Sequence, residues 1–260
     1  MAVDSVLLWS DGELQPAFGP LAGEVLAADS WWCTDNFVVE KNRHLERFRQ
    51  SLDQRGLASG DLSAFLDAVS EFHLPPGEWF PRIDARVQNA TIQLSFCPRP
   101  SPPRHDHAVV VSAPEDPRTL PQYKGPDLER LGKLRTSAQE QGANEAVILT
   151  DGLVAEGAYS SVLTWSEDGK TLHTVDSTLA RIPSVTQSFL VEIAREAGYA
   201  VHPARFSPAE LEGRDVWLVS ALHGIRVVTS WISGPEVATT LQDRRDQFQQ
   251  SWWERARPPR

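Results

Sequence analysis

Residues 123–156, YKGPDLERLGKLRTSAQEQGANEAVILTDGLVAE, spell out a lysine, a helix, a strand, a tight turn and a glutamate. Pro126 in the first turn and Gly142 past the last one punctuate the helix. Leu128, Leu131, Leu134 and Ala138 form its buried stripe. Residues 145–150 have the composition of a strand, Asp151-Gly152 that of a two-residue turn, and residues 153–156 form the return strand with an acid at its end.

The chain has only four lysines, at positions 41, 124, 133 and 170, so candidates for amine chemistry can be taken singly. Lys41 in a polar turn and Lys170 after Asp168-Gly169 are expected to be solvated, and Lys133 points to the outer face of its helix. Lys124 sits just before a helix N-terminus, whose positive end disfavours an ammonium and favours the neutral amine that an aldehyde requires. A solvated loop lysine after a proline-rich connection is the alternative.

Composition removes several classes of function. The net charge of -10 argues against a nucleic-acid protein, which needs clustered positive charge. No apolar run reaches membrane-span length, and the N-terminus lacks the basic flank and apolar core of a signal peptide. Cys33 and Cys97 make no disulfide framework, which leaves a reducing, cytoplasmic setting as the default. The seven histidines show no metal-ligand spacing, so no metal site is assigned. A chain of 260 residues can form one large domain or two small ones.

The order lysine, helix, Gly-Ala-Asn-Glu-Ala, strand, Asp-Gly-x-Val-x-Glu resembles the class IV aminotransferases, pyridoxal-phosphate enzymes that include branched-chain and D-amino-acid aminotransferases and 4-amino-4-deoxychorismate lyase. The resemblance implies a mixed α/β fold of two domains (fold type IV) with the cofactor between them, usually in a homodimer, acting on a small amino substrate. It implies that Lys124 holds pyridoxal 5'-phosphate as a Schiff base and that Glu156 pairs with the pyridine nitrogen. An acid there keeps the ring protonated, so that it can act as an electron sink.

Upstream, strands are expected over residues 3–9, 23–32 and 37–40, with Pro16, Gly19 and Pro20 in a loop. A helix from residue 42 through Leu52 carries His44, Arg47 and Ser51 on neighbouring faces. It resembles the family's early helix, whose arginine contacts the cofactor phosphate; Arg47 is the match. Alternation places Ser30 and Trp32 on one face of their strand and Asp29 and Trp31 on the other, and one pair is expected to face cofactor or substrate. The resemblance to the lyase branch puts its threonine at Ser30. A second helix is read over residues 61–72, and residues 80–96 are strand-rich, with Arg82, Asp84 and Arg86 on one face. Those arginines serve either a substrate carboxylate or a ladder with Asp84 in solvent.

Domain limits follow from the proline-rich stretches: residues 1–112 as a smaller N-terminal α/β domain, 113–122 as linker, and 123–260 as a larger C-terminal domain. Beyond Glu156, Ser161 stands where the family usually has asparagine. Ser184-Val185-Thr186-Gln187 matches its Gly-Ile-Thr-Arg, giving Val185 and Thr186 the phosphate and turning the family's arginine into Gln187. The residues agree independently, because unpaired N–H groups and a hydroxyl at a helix start suit an anion, although Ser184 or Thr186 could equally be a plain cap. Residues 220–225, Ser-Ala-Leu-His-Gly-Ile, resemble the family's closing loop, which assigns Ser220 and Ala221 to the phosphate and His223 to the substrate side; a simple turn is the alternative for His223. A helix over residues 237–253 with Leu241, Phe248 and Trp252 in register and a basic tail end the chain. The short chain and the 220–225 loop lean toward the lyase branch. Amino-acid transamination, and a cofactor-binding protein without turnover, are the other two readings.

Overall fold

The structure is a computed structural model and describes residues 6–17, 21–57 and 60–255. Residues 3–5 of the first expected strand, Gly19 and Pro20 of the loop, and the basic end from 256 onward lie outside the described residues. The chain divides into two compact units.

The first unit is built on a five-stranded antiparallel sheet of order β2-β1-β8-β7-β3, from β1 (Leu7–Ser10), β2 (Glu13–Pro16), β3 (Glu24–Ser30), β7 (Arg82–Gln88) and β8 (Thr91–Cys97). Asp11 and Gly12, with φ of 53° and 81°, make the left-handed turn that joins β1 to the unexpected β2. Two-residue strands β4 (Cys33–Thr34), β5 (Phe37–Val38) and β6 (Glu78–Trp79) form a small second sheet, so the expected strand over residues 23–32 stops at Ser30. Helix α1 (Lys41–Asp53) lays Leu45, Phe48 and Leu52 against the sheet, and α2 (Leu62–Glu71) adds Phe65 and Val69. Each such side chain contributes about 1.5–3 kcal/mol by leaving water.

Lys41 departs from expectation. It opens α1 half-buried, and its Nζ donates to the carbonyls of Val69 (3.0 Å) and Ser70 (2.9 Å) at the end of α2. The negative helix end attracts it there, which a reading of the local turn could not show. Burial lowers its pKa to about 8.

The second unit carries an eight-stranded mixed sheet of order β11-β10-β9-β16-β15-β12-β13-β14. Its strands are β9 (His107–Ser112), β10 (Glu145–Thr150), β11 (Leu153–Gly157), β12 (Ser161–Trp165), β13 (Thr171–Val175), β14 (Ala200–Ala204), β15 (Val216–Ser220) and β16 (Gly224–Ile232). Helix α3 (Leu128–Glu140) lies between β9 and its parallel neighbour β10 in the chain, and α4 (Val185–Glu196) between parallel β13 and β14. Both are crossover connections of the kind parallel pairing requires. Buried on both sides, β10 reads Ala-Val-Ile-Leu without alternation. The last helix, α5 (Gln242–Glu254), starts later than the apolar spacing suggested and buries Phe248 and Trp252. Among the described residues, no helix is long and apolar enough to cross a membrane.

The expected domain break after Ser112 is displaced. Arg104–Gln122 and Asp127–Glu254 belong to the second unit, because β9 hydrogen-bonds on both sides inside that sheet. Tyr123–Pro126 rejoins the first unit. Pro126 precedes the N-cap Asp127 and is not in the helical turn. The Asp127 carboxylate instead accepts the N–H groups of Thr119 and Leu120 and the Thr119 hydroxyl, closing the loop at its base.

Candidate active site

In the first unit, Lys124 is pinned by its backbone. Its carbonyl accepts the Ala28 N–H at 2.7 Å, beside the end of β3. Gly125 makes this approach possible: at φ 140°, a Cβ there would lie 2.7 Å from Ala27 Cα. Tyr123 lies beneath the Arg55 guanidinium, 5.4 Å from ring centroid to Cζ. Lys133, by contrast, pairs with Glu129 at 76% side-chain exposure, and Lys170 is 82% exposed, as expected.

Next to Ala28, Asp29 is fully buried and well satisfied. Arg47 forks onto it through Nε and Nη2, both at 2.7 Å; His44 Nδ1 stands at 2.9 Å and the Ser30 N–H at 2.7 Å. Burial alone would raise this carboxyl, but Arg47 and His44 outweigh it and hold it well below the usual range. Asp29 and Trp31 therefore face α1, with the Trp31 ring 6.3 Å from that of His44, and any further anion Arg47 meets competes with Asp29.

Ser30 and Trp32 are both buried. The Ser30 hydroxyl accepts Arg99 Nη2 at 3.2 Å, while Arg99 Nε donates to the Phe80 carbonyl at 2.7 Å. Among the described residues Arg99 makes no ion pair. The charged face of β7 finds its partner within the strand: Arg82 reaches Asp84 at 2.5 Å and Arg86 at 4.0 Å, and Asp84 itself is buried. The ladder is the observed arrangement, although it is half-buried and not in open solvent.

In the second unit, Asp151 and Gly152, with φ of 51° and 77°, turn β10 into β11, and Glu156 sits near the end of the return strand at 4% exposure. Arg118 Nη1 donates to Oε1 at 2.5 Å; Oε2 receives only a long contact from the Ile182 N–H, 3.4 Å. Burial raises the Glu156 pKa to about 7 against the pull of Arg118.

The start of α4 is an anion-type end. Ser184 is the cap, its hydroxyl accepting the Gln187 N–H at 3.2 Å, which settles it as the plain N-cap. Val185 and Thr186, both buried, occupy the first helical positions, where backbone N–H groups have no acceptor within the helix. The Gln187 Oε1 has no hydrogen-bond partner among the described residues, and Ser161 is buried in β12.

Between β15 and β16, the Ser220 hydroxyl accepts the His223 N–H at 3.3 Å, with half-buried Ala221 in the turn. His223 Nδ1 accepts the His105 N–H at 3.1 Å, and burial, with Arg226 and its neighbours, lowers the His223 pKa to about 3. The ring is neutral, and its proton is on Nε2. The ring thus ties the β15–β16 turn to the segment that leads into β9.

Sequence reasoning passed over Arg99, Asp116 and Arg118, and gave Asp29 a face without a partner. The alternation at residues 29–32 contained the signal for Asp29; Arg118 lies among prolines, where no periodicity assigns a face.

The first unit thus carries a lysine fixed beside a strand end, and the second a buried acid on a hairpin and an anion-ready helix start, groups of the kind a cofactor-dependent enzyme uses. The sequence profile of the amino-transferase class IV family matches residues 27–231, most of the chain, and the chain belongs to that family. Among solved structures, a hypothetical aminotransferase from Mycobacterium tuberculosis in its apo form is similar, with 20% identity over 96% of this chain and 98% of that one and a TM-score of 0.79. A fold IV transaminase from Curtobacterium pusillum shows 17% identity over 97% and 100%, with a TM-score of 0.81. A branched-chain aminotransferase from Thermoproteus uzoniensis, solved with norvaline, shows 15% identity over 96% of both chains, with a TM-score of 0.82. No curated protein sequence matches significantly.

Proposed function

We propose that this chain is a pyridoxal-phosphate enzyme that transfers an amino group from a small amino-acid substrate, with Lys124 as the catalytic amine and Glu156 as the acid at the ring nitrogen. The observation that carries the proposal is Glu156: a buried carboxylate whose Oε2 has only a 3.4 Å donor fits a ring N–H. The helix start at Val185 and Thr186 fits the phosphate, and Ser220 and Ala221 are its proposed further contacts. When bound, the cofactor supplies an electron sink that weakens the bonds to the substrate's α-carbon.

The chain's own residues do the rest. Lys124 Nζ would hold the cofactor aldehyde, and as a free amine it would move the proton at the substrate's α-carbon. Glu156 keeps a proton on the ring nitrogen. Arg47 supplies positive charge for the phosphate, a role that Gln187 cannot share. Arg99, unpaired by any carboxylate among the described residues and bonded to Ser30, is a better receptor for a substrate carboxylate than Arg82 or Arg86, which Asp84 already holds. Trp32 supplies an apolar wall.

Amino transfer is supported by the family and by similar structures described as aminotransferases, one of them, from Mycobacterium tuberculosis, with alpha-ketoglutarate and pyridoxamine phosphate bound. Pyruvate elimination from 4-amino-4-deoxychorismate, giving 4-aminobenzoate, rests on sequence cues alone: the short chain, the match at Ser30 and the 220–225 loop. A homodimer in the cytoplasm is the setting that goes with either reaction. The deciding experiment mixes the loaded protein with one substrate at a time. Transfer predicts that an amino acid alone converts the cofactor to its amine form, and that turnover waits for a keto acid. Elimination predicts pyruvate and 4-aminobenzoate without any keto acid. A loaded protein that does neither across a broad panel is a binding protein.

A further inference from the structure

Arg118 is divided unequally between two carboxylates. Its Nε and Nη2 grip Asp116 at 2.8 and 2.7 Å, whereas Glu156 receives one N–H, from Nη1, which also donates to the Ala180 carbonyl at 3.1 Å. Thr150 Oγ1 of β10 lies 3.4 Å from both Asp116 Oδ2 and Arg118 Nη2. A second cation that acts on Glu156, Arg181, is shared with Asp176. The two-point fork is the stronger contact, so Asp116 takes the larger share of the guanidinium charge.

We propose that Asp116 is a positioning residue for the site: by holding the Nε–Nη2 edge of Arg118 it aims Nη1 at Glu156 and withholds part of the arginine's charge. Glu156 then remains basic enough to keep a proton on the cofactor's ring nitrogen, where a fully paired carboxylate would be too weak a base. The inference rests on the proposed role of Glu156. The titrations agree in direction. Burial pushes both acids up, but for Asp116 the Arg118 fork outweighs burial and leaves it below its ordinary value, whereas Glu156 ends near neutrality.

The test follows the Glu156 carboxyl by carbon-13 NMR in the full chain stripped of cofactor, with the resonance assigned by its loss in Glu156→Gln. Asp116→Asn should release Arg118 to Glu156 and move its midpoint down by about one pH unit; Arg118→Gln should move it up by about as much or more. If Arg118→Gln does not fold, Arg118→Met replaces it, because it removes the charge while keeping an unbranched stem to fill the space, and the shift is again upward. Midpoints that move the same way in both variants, or stay in place, overturn the proposal, since a purely structural role predicts no opposition of sign. In the loaded protein, the pH midpoint of the cofactor's visible band should move down in Asp116→Asn. A band that ignores Asp116 while the free-chain midpoints shift as stated removes Glu156 from the ring nitrogen and overturns the role proposed for the pair. Unmoved midpoints in a protein that still carries cofactor on Lys124 overturn this inference and leave the proposed reaction standing.

Discussion

Asp29 in the first unit and Glu156 in the second are both buried against an arginine, and the two are tuned in opposite directions. Asp29 takes the whole fork of Arg47, a histidine nitrogen and a backbone N–H, and is held ionised. Glu156 takes a single N–H from an arginine whose fork is spent on Asp116, and burial wins. Having an arginine within reach does not by itself decide the charge of a buried acid; how the guanidinium is shared decides it. The contrast suits two tasks: Asp29 fixes Arg47 in one orientation, and Glu156 is left with the basicity that its proposed role at the ring nitrogen needs.

The largest effect should come from breaking the well-paired side. Arg47→Ala leaves Asp29 buried with His44 and one N–H, and should lower unfolding free energy by about 3–5 kcal/mol in urea titrations. In protein that still folds, cofactor affinity should fall about a hundredfold or more. A loss confined to affinity would mean that Asp29 does not depend on Arg47.

Next comes the pH dependence. The folded Glu156 pKa of about 7 lies above its ordinary 4.5, so the folded chain binds the extra proton between those values and loses stability as pH rises through that window. The contribution is on the order of 3 kcal/mol. Glu156→Gln should remove that decline from the cofactor-free chain, as read by urea unfolding at several pH values. Asp29 behaves oppositely: its depressed pKa contributes stability above the ordinary carboxylate range that is lost as pH falls, so Asp29→Asn should flatten the acid limb instead. If the two variants alter the same limb, the contrast between the sites fails.

The smallest effect sharpens the comparison by touching neither acid. Ser184→Ala removes the cap of α4, costs about 1 kcal/mol of stability and should leave both titrations in place. Thr186→Ala should weaken cofactor binding about tenfold at most, the equivalent of one neutral hydrogen bond, in a titration of the cofactor-free variant.

Much of this arrangement was legible in the residues. Period and punctuation located α1, α3 and the β10–β11 hairpin and narrowed the cap of α4 to Ser184 or Thr186, because each is set by local contacts. What escaped depends on contacts distant in sequence. Nothing near Lys41 announces the end of α2, nothing near Arg118 announces Glu156, and the run at residues 107–112 gives no sign that both its edges are paired within the larger sheet. Alternation put Asp29 and Trp31 on one face without saying which way it points, His44 was given no partner, and Arg47 was read only for the phosphate.

Every proposed role of the other residues presupposes the cofactor on Lys124, which reduction of the loaded protein with borohydride followed by peptide mapping will locate. The predicted result is a single pyridoxyl modification on Lys124. Label on Lys133, on the half-buried Lys41, or on no lysine after incubation with cofactor would contradict it.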